Sequence, residues 1–257
     1  MTEQTQQASP EHVEYVLRMG DNALILGQRV SEWCGHAPVL EEDMALANMA
    51  LDLIGQARML LTHAGRLEGR GRDEDGLAFQ RNEPHFRNLT LCELPNDDFA
   101  RTMVRNYLFS AFMVLLWERL LQSRDAELAA IAGKSIKEAR YHVRHAGEWV
   151  LRLGDGTAES HARTQRALDY LWPYTAEIFA DTPADAVAED ARVGPAWSTL
   201  EQDWMAMVVP VLEAATLSLP ARTPFRSHGK VGRHSEHMGH LLAEMQYMQR
   251  VYPGANW

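Results

Sequence analysis

Lys137-Glu138-Ala139-Arg140-Tyr141-His142 stands in the middle of a long run of helix-forming residues and reads as half of a metal-binding motif. Helical bundles that hold two irons through carboxylates carry, on two helices, a Glu followed three residues later by a His. Here the residue three before His142 is Ala139, and the carboxylate lies one position earlier, at Glu138. The stretch therefore predicts a helix of such a bundle and leaves open whether the bundle binds metal.

The composition is that of a folded protein with a large core. The chain has 257 residues and a formal net charge of −10 without a run of Lys or Arg, which argues against nucleic-acid binding. No segment approaches the roughly 18 consecutive apolar residues of a membrane span. We expect residues 1–10 to form a flexible tail rather than a signal peptide, Cys34 and Cys92 to be reduced and buried, and the protein to be cytoplasmic.

Apolar residues recur at helical spacing along nearly the whole chain. The segments predicted to be helical are approximately 11–33, 40–67, 97–122, 123–153, 159–179, 195–217 and 236–252. Asn96 and Asp97 are expected to cap the third helix, and Pro173 and Pro210 to kink or end later ones. The second helix is predicted to bury Met44, Ala47, Leu51, Ile54 and Leu61.

Four long helices followed by shorter ones predict an all-α fold. We expect a ferritin-like antiparallel four-helix bundle with additional C-terminal helices, because the connection between the second and third helices is long enough for the one crossover of such folds. No Pro/Gly/Ser-rich linker interrupts the chain, so residues 11–257 are predicted to form a single domain.

The side chains near the quoted stretch allow two interpretations. Glu138 and His142 share a helix face with each other, and the second helix offers Asp52 and Gln56 at the same level. An active oxidase could use these four in an atypical di-iron site. Alternatively, they satisfy one another by hydrogen bonds in the core without metal. The first and third helices offer no carboxylate at that level, which favours the second interpretation.

Two further features near the C-terminus carry polar chemistry. His234, His237 and His240 are three apart and could share a metal, although a polar helix start is the simpler explanation. The segment before them is the most basic of the chain, and Arg226, Lys230 and Arg233 are candidates for phosphate or partner contacts. A solvated basic loop is the alternative.

Five blocks of sequence closely resemble the C subunits of bacterial ring 1,2-phenylacetyl-CoA epoxidases, which are also called ring 1,2-phenylacetyl-CoA monooxygenases. The resemblance covers nearly the whole chain after residue 12. The blocks are Leu17-Arg18-Met19-Gly20-Asp21-Asn22, Glu32-Trp33-Cys34-Gly35-His36-Ala37-Pro38, Leu51-Asp52-Leu53-Ile54-Gly55-Gln56-Ala57-Arg58, Lys137-Glu138-Ala139-Arg140-Tyr141-His142 and Ala243-Glu244-Met245-Gln246-Tyr247-Met248-Gln249-Arg250-Val251.

The resemblance implies a structural subunit of a multicomponent monooxygenase in aerobic phenylacetate degradation. In that family a homologous ferritin-like A subunit holds the di-iron centre and epoxidises the ring of phenylacetyl-CoA with dioxygen. The complex also includes a B subunit and a reductase that carries FAD, a 2Fe-2S cluster and NADPH. The C subunit is similar to a diverged copy of A that supports it, so no cofactor and no catalytic residue are expected in this chain.

The resemblance also assigns positions. The ligand positions of the A subunit fall on residues that are mostly not ligands: Ala23, Leu53, Gln56, Ser110, Ala139 and His142. Family contacts to the CoA substrate fall on two segments, His85, Phe86, Arg87, Asn88 and Ala186, Val187, Ala188. Phenylacetyl-CoA is therefore expected near the interface with A. A free-standing helical protein that binds CoA esters remains an alternative.

Overall fold

The structure is a computed structural model that describes residues 8–255. Most of the predicted tail, residues 1–7, lies outside that range. Within it the regular structure is helical apart from an isolated bridge between His228 and Arg233, so the all-α prediction is confirmed. The ten α-helices of this range are α1 (Pro10–Ser31), α2 (Leu40–Glu68), α3 (Glu74–Phe79), α4 (Thr90–Glu93), α5 (Phe99–Leu120), α6 (Ala126–Gly154), α7 (Ala158–Thr175), α8 (Pro183–Asp190), α9 (Glu201–Ala214) and α10 (Glu236–Val251).

Two long helical hairpins form the body of the molecule. Helices α1 and α2 pack along their length, as do α5 and α6, and the hairpins meet where α2 packs against α6. Small residues let α1 approach α2 closely, because a Cβ at Gly27 would lie 3.3 Å from Leu53 Cβ. The resemblance of this arrangement to ferritin-like folds stays a prediction.

Three of the four hairpin helices, α1, α5 and α6, begin at side-chain caps. Asp125 accepts from the backbone N–H of Leu128 at the start of α6. The predicted cap of α5 was wrong, because Asp98 accepts from the N–H of Arg101. Asp97 instead turns the chain with a φ of 58°.

The long connection between α2 and α5 folds over one end of the bundle. It contains α3, a 3₁₀ turn at Glu83–His85 and α4. Arg81, which is 3% exposed, binds the buried carboxylate of Asp21 on α1 and stacks its guanidinium 4.1 Å from the Phe86 ring. The connection is therefore anchored by buried charge as well as by apolar packing.

The C-terminal third differs from its predicted boundaries. Helix α7 ends at Thr175, two residues after Pro173, and the segment predicted at 195–217 is a 3₁₀ turn at Trp197–Leu200 followed by α9, which accommodates Pro210. Helix α8 was not predicted at all. It packs against α1, whereas α7 and α9 pack against α5 and α6.

The predicted buried face of α2 was wrong in part. Met44 is 59% exposed and Leu51 is 66% exposed, while Leu46, Met49 and Leu53 enter the core. Cys34 is exposed, contrary to expectation, and Cys92 is buried. Among residues 8–255, no helix combines the length and apolar character that a membrane-spanning segment needs.

Candidate functional site

The six positions inferred from the resemblance all lie in the interior of the two hairpins. They are spread over α1, α2, α5 and α6, and each is at most 5% exposed: Ala23, Leu53, Gln56, Ser110, Ala139 and His142. Two of the six, Gln56 on α2 and His142 on α6, form side-chain hydrogen bonds with the other of these two helices.

Polar pairs join α2 and α6 along their contact, which we call the α2–α6 seam. His142 Nε2 lies 3.0 Å from Asp52 Oδ2, and Gln56 Nε2 donates to Glu138 Oε2 over 2.9 Å. A carboxylate oxygen accepts hydrogen bonds, so the His142 tautomer that carries its proton on Nε2 is the donor in this pair. One turn away His145 Nε2 lies 2.9 Å from a carboxylate oxygen of α2. The four residues singled out from the sequence thus form two separate pairs.

A further polar cluster ties the far end of the seam to α1. His63 Nε2 and His12 Nε2 lie 2.7 and 2.9 Å from the same oxygen, Asp125 Oδ2. Burial alone would raise the pKa of Asp125, but hydrogen bonds from both imidazoles and from the Leu128 N–H hold it well below its usual range. The carboxylate is therefore ionised at neutral pH and caps α6 as well.

These side chains do not fit a di-iron centre. A bundle of that kind needs four carboxylates and two imidazoles directed at one point. The resemblance implies carboxylates at the positions of Leu53 and Ala139, and the neighbouring Asp52 and Glu138 each bind a different partner. In the part of the chain that the structure describes, no group of three His, Cys, Asp or Glu side chains is placed to hold a metal ion.

The basic segment does not present its three cations together. Arg226 and Arg233 are exposed, and Arg226 donates to the carbonyls of Thr223 and Phe225. Lys230 is 2% exposed. Any phosphate contact by Lys230 would require it to leave the interior.

Lys230 is held by groups from three directions. Its Nζ donates to the carbonyls of Ile178 and Ala180 over 3.2 and 2.7 Å, lies 3.8 Å from Asp185 Oδ2 and sits 4.5 Å from the Trp197 ring centre. Burial, with the nearby Arg18 guanidinium, lowers the pKa of Lys230 to about 7.

The predicted substrate segment at residues 85–88 is mostly internal. Phe86 is buried, the Arg87 N–H donates to Asp21 over 2.8 Å, and Asn88 donates to Glu93 over 2.9 Å. His85 is exposed. Only His85 and part of Arg87 are accessible, so any contact here uses them or the backbone.

The second predicted substrate segment lies on α8. Ala186 is exposed, Val187 is half-buried and Ala188 is buried. Arg18 holds this helix by donating from Nη1 to both oxygens of Asp185 over 2.9 Å. Burial opposes ionisation of Asp185, but Arg18 and Lys230 keep its pKa below the usual range.

The C-terminal histidines have separate environments. His234 Nδ1 lies 2.7 Å from Glu93 Oε2, and Ser235 caps α10. Burial acts to lower the pKa of His234, but Glu93 outweighs it and raises that pKa. His240 is exposed. His234 therefore serves as a polar anchor for the start of α10.

Two clefts open on the C-terminal half. A groove of about 430 Å³ lies between α10 and residues 82–83, and a cleft of about 350 Å³ is walled by Trp172, Phe179 and Trp204. Of the residues predicted to contact substrate, only Arg226 lines either one. The two clefts therefore do not gather the predicted contacts into one site.

Comparison with known proteins decides the family. The profile of the phenylacetic acid catabolic proteins matches residues 1–257. The chain belongs to this family. A relative from Escherichia coli (strain K12), the C subunit of 1,2-phenylacetyl-CoA epoxidase, is 50% identical over 243 residues, which make up 95% of this chain and 98% of that protein. The resemblance seen in the sequence blocks is confirmed.

The sequence patterns did not identify the buried carboxylates that anchor the loops of this family member. Glu177 accepts from the N–H of Thr90, the hydroxyl of Ser227 and the N–H of Lys230 over 3.0, 2.7 and 2.8 Å. A weak indication was available on α1, where Arg18 and Asp21 interrupt an otherwise apolar face. Their partners are 60 or more residues away and could not be read from local pattern.

Proposed function

We propose that this chain is the non-catalytic structural subunit of a multicomponent phenylacetyl-CoA 1,2-epoxidase in aerobic phenylacetate degradation, where it pairs with and supports a catalytic A subunit. The observation that carries the proposal is the seam itself. At the level where a di-iron bundle needs converging carboxylates, this chain has Leu53 and Ala139 and a His142–Asp52 hydrogen bond. The half-identical relative, which is named as the C subunit of such an epoxidase, supports the same assignment.

The seam suggests how the bundle keeps its shape without metal. In a di-iron bundle the ions cross-link helices and neutralise buried carboxylates. Here His142–Asp52, Gln56–Glu138 and the Asp125 cluster join the helices directly. Each pair satisfies polar groups that would otherwise be costly to bury. The chain can therefore serve as a rigid support whose folding does not depend on iron.

The redox chemistry of the proposed complex belongs to other chains. The A subunit holds the di-iron centre, the reductase holds FAD, the 2Fe-2S cluster and NADPH, and the assembly also includes a B subunit. Phenylacetyl-CoA binds near the interface with A. This chain would contribute there through the exposed side chain of His85 and the outer surface of α8, because Phe86, Asn88 and Ala188 are occupied inside the protein.

Co-expression with the candidate A subunit tests the proposal. The two chains should purify together, and iron counted after their separation should be found on A and not on this chain. A matched control is the isolated chain loaded with ferrous iron and then desalted. About two irons per isolated chain, with dioxygen-dependent turnover in the absence of any partner, would show instead an active oxidase with an atypical site.

The free-standing alternative has its own measurement. A helical protein that binds CoA esters alone should bind phenylacetyl-CoA tightly as an isolated chain, as measured by calorimetry. The structural-subunit proposal expects such binding only in the presence of A. Tight binding by the isolated chain, unchanged when A is added, would favour the alternative.

A further inference from the structure

The cleft of about 350 Å³ between α7, α9 and the loop at residues 219–226 is walled by aromatic rings. Trp172 on α7 and Trp204 on α9 lie with ring centres 5.5 Å apart, and the ring centre of Phe179 lies 5.3 Å from that of Trp204. The indole N–H of Trp204 donates to the Leu108 carbonyl over 3.0 Å, so this donor is already satisfied inside the protein. The walls therefore present apolar ring surface, which favours a flat, apolar group.

The rim of the cleft carries two cations, although the chain has a net charge of −10. Arg222 and Arg226 both line the cleft, and both are exposed. Glu201 is the one acidic group among the described residues that line it, and its Oε1 lies 3.3 Å from Nη2 of Arg222. The two side chains of this pair are 46% and 90% exposed, so their attraction is weak. Arg222 can therefore exchange Glu201 for the anionic group of a ligand.

The second cation of the rim is oriented by its own loop. Arg226 donates from Nη1 to the carbonyls of Thr223 and Phe225 over 2.9 and 2.7 Å. A planar guanidinium has further N–H donors on Nη2 and Nε. Donors in this fixed fork suit the two oxygens of a carboxylate. The cleft thus combines an apolar aromatic interior with a rim that favours a carboxylate.

We propose that this cleft binds a small aromatic carboxylate, with the ring of the ligand against Trp172, Phe179 and Trp204 and its acid group on Arg222 and Arg226. The volume suits an acid with a single ring, because it lies near the lower end of the roughly 300–1,000 Å³ of small-molecule sites. A CoA thioester, with its nucleotide and pantetheine arm, would extend far outside the cleft. The proposal does not rest on the proposed function, since it concerns a ligand of this chain alone.

The cleft is suited to reversible binding rather than to chemistry. The described residues that line it include no His, Cys or Ser. Of the two threonines there, Thr175 donates its hydroxyl to the Trp172 carbonyl over 2.7 Å. The ligand is therefore held and released unchanged. Because it joins α7 to α9, its binding should raise the midpoint of thermal unfolding as its concentration increases.

A titration of the isolated, full-length chain with phenylacetate tests the site. Phenylacetate is a single-ring acid of suitable size, and the indole N–H groups of the tryptophans are its reporters in nuclear magnetic resonance spectra. The resonances of Trp172 and Trp204 should shift, whereas that of Trp33, which lies outside the cleft and donates to Thr102, should not. We expect a Kd on the order of 1 mM, as is typical of a ligand with so few atoms.

Two analogues of phenylacetate separate the contributions of its charge and its ring. Phenylacetamide keeps the ring and removes the negative charge, so it cannot form a charge-assisted pair with either arginine. Cyclohexylacetate keeps the charge and replaces the flat ring by a saturated one, which loses the aromatic contacts. Each analogue should bind at least about fivefold more weakly than phenylacetate.

Variants of the cleft locate the binding. Arg222→Gln and Arg226→Gln should each weaken phenylacetate binding about tenfold, and Ala180→Trp should abolish it by filling the cleft from an exposed position. Arg233→Gln is the control for lost charge, because Arg233 is exposed in the same basic segment and lines neither cleft. Ala206→Trp, at an exposed position of α9 outside the cleft, is the control for added bulk. Circular dichroism and thermal unfolding check that each variant folds.

The outcomes decide both the site and the class of ligand. Shifts at both tryptophans, weaker binding of both analogues and losses confined to the cleft variants support the proposal. Unshifted resonances at phenylacetate concentrations well above the expected Kd overturn it, as does an equal effect of Arg233→Gln and the two rim variants. If phenylacetyl-CoA shifts the same resonances at lower concentrations than phenylacetate, the cleft belongs to the thioester and the inference is wrong. Should Ala180→Trp fail to fold, the two arginine variants, which change exposed side chains, still decide.

Discussion

Lys230 is a lysine whose ammonium is enclosed by the protein, beside Asp185 and against the Trp197 ring. Its pKa of about 7 lies well below the value of about 10.4 for a lysine in an unfolded chain. Between those values the unfolded chain holds a proton that the folded chain has lost. The contribution of Lys230 to stability therefore rises with pH from about 7 upward and is unfavourable below it.

Lys230→Met should remove that pH dependence. The free energy of unfolding of the unaltered chain minus that of the variant should increase between pH 7 and pH 9, with a slope of at most about 1.4 kcal/mol per pH unit. Urea unfolding of both proteins at several pH values provides the measurement. A difference that stays constant or falls over this range would contradict the internal, easily deprotonated ammonium.

His142 is the one imidazole left at an inferred ligand position, and its bond to Asp52 gives it a structural role. His142→Ala should leave turnover of the reconstituted epoxidase within a few-fold of the unaltered complex and lower the stability of this chain by about 1–3 kcal/mol, since a buried partner is lost. His145→Ala, which removes the neighbouring seam pair, is the control. A thousandfold fall in turnover with fold and assembly intact would assign His142 to catalysis.

At the scale of elements, the two glycines Gly27 and Gly55 have opposite surroundings. A Cβ at Gly27 meets Ile54 Cγ1 at 3.1 Å and Leu53 Cβ at 3.3 Å, whereas one at Gly55 meets nothing within 4 Å. Gly27→Val should force α1 from α2 and cost about 1–3 kcal/mol. Gly55→Ala should stabilise the isolated chain by about 0.5–1 kcal/mol through helix propensity. Thermal unfolding compares them, and equal effects would contradict the close packing.

The helices that the sequence predicted well are those with one clear apolar face. Helix α2 has two, and local spacing cannot say which one is inward, so Met44 and Leu51 were assigned to the core when Leu46 and Met49 occupy it. The helix was predicted correctly, and its rotation about its own axis was not. That rotation is set by packing against α1 and α6, and α6 is distant in sequence.

Short elements held by remote polar contacts were the least predictable. Helix α8 depends on Arg18 binding Asp185, and the segment at residues 86–89 depends on Asp21, Asn22 and Glu93. None of these pairs leaves a periodic pattern in the chain. The seam was different, because Asp52, Gln56, Glu138 and His142 could be placed at one level from helix geometry alone, although their division into two pairs could not.

For the whole molecule, hydrogen-bonded polar pairs in the interior of the hairpins occur together with large apolar residues exposed on α2. Of the ligand positions implied by the resemblance, Ala23, Leu53 and Ala139 are apolar, and Gln56 and His142 join α2 to α6 through direct hydrogen bonds. On the outward side of α2, by contrast, Leu40, Met44 and Leu51 are more than half exposed. The proposed structural subunit would place such a surface against another chain.

The isolated chain should therefore self-associate weakly at high concentration. We expect monomers at low micromolar concentration and dimers or larger species on the order of 100 µM, because Leu40, Met44 and Leu51 expose apolar groups on one side of α2. Added salt should strengthen this association, since it screens the repulsion between chains of net charge −10. Sedimentation velocity over a range of concentration and salt measures both effects. Leu51→Arg should keep the chain monomeric, whereas the control Leu219→Arg, at a 44% exposed leucine that follows α9, should not. Addition of the A chain should replace self-association by a mixed complex. A stable monomer at high concentration and high salt would contradict association through the exposed apolar side of α2.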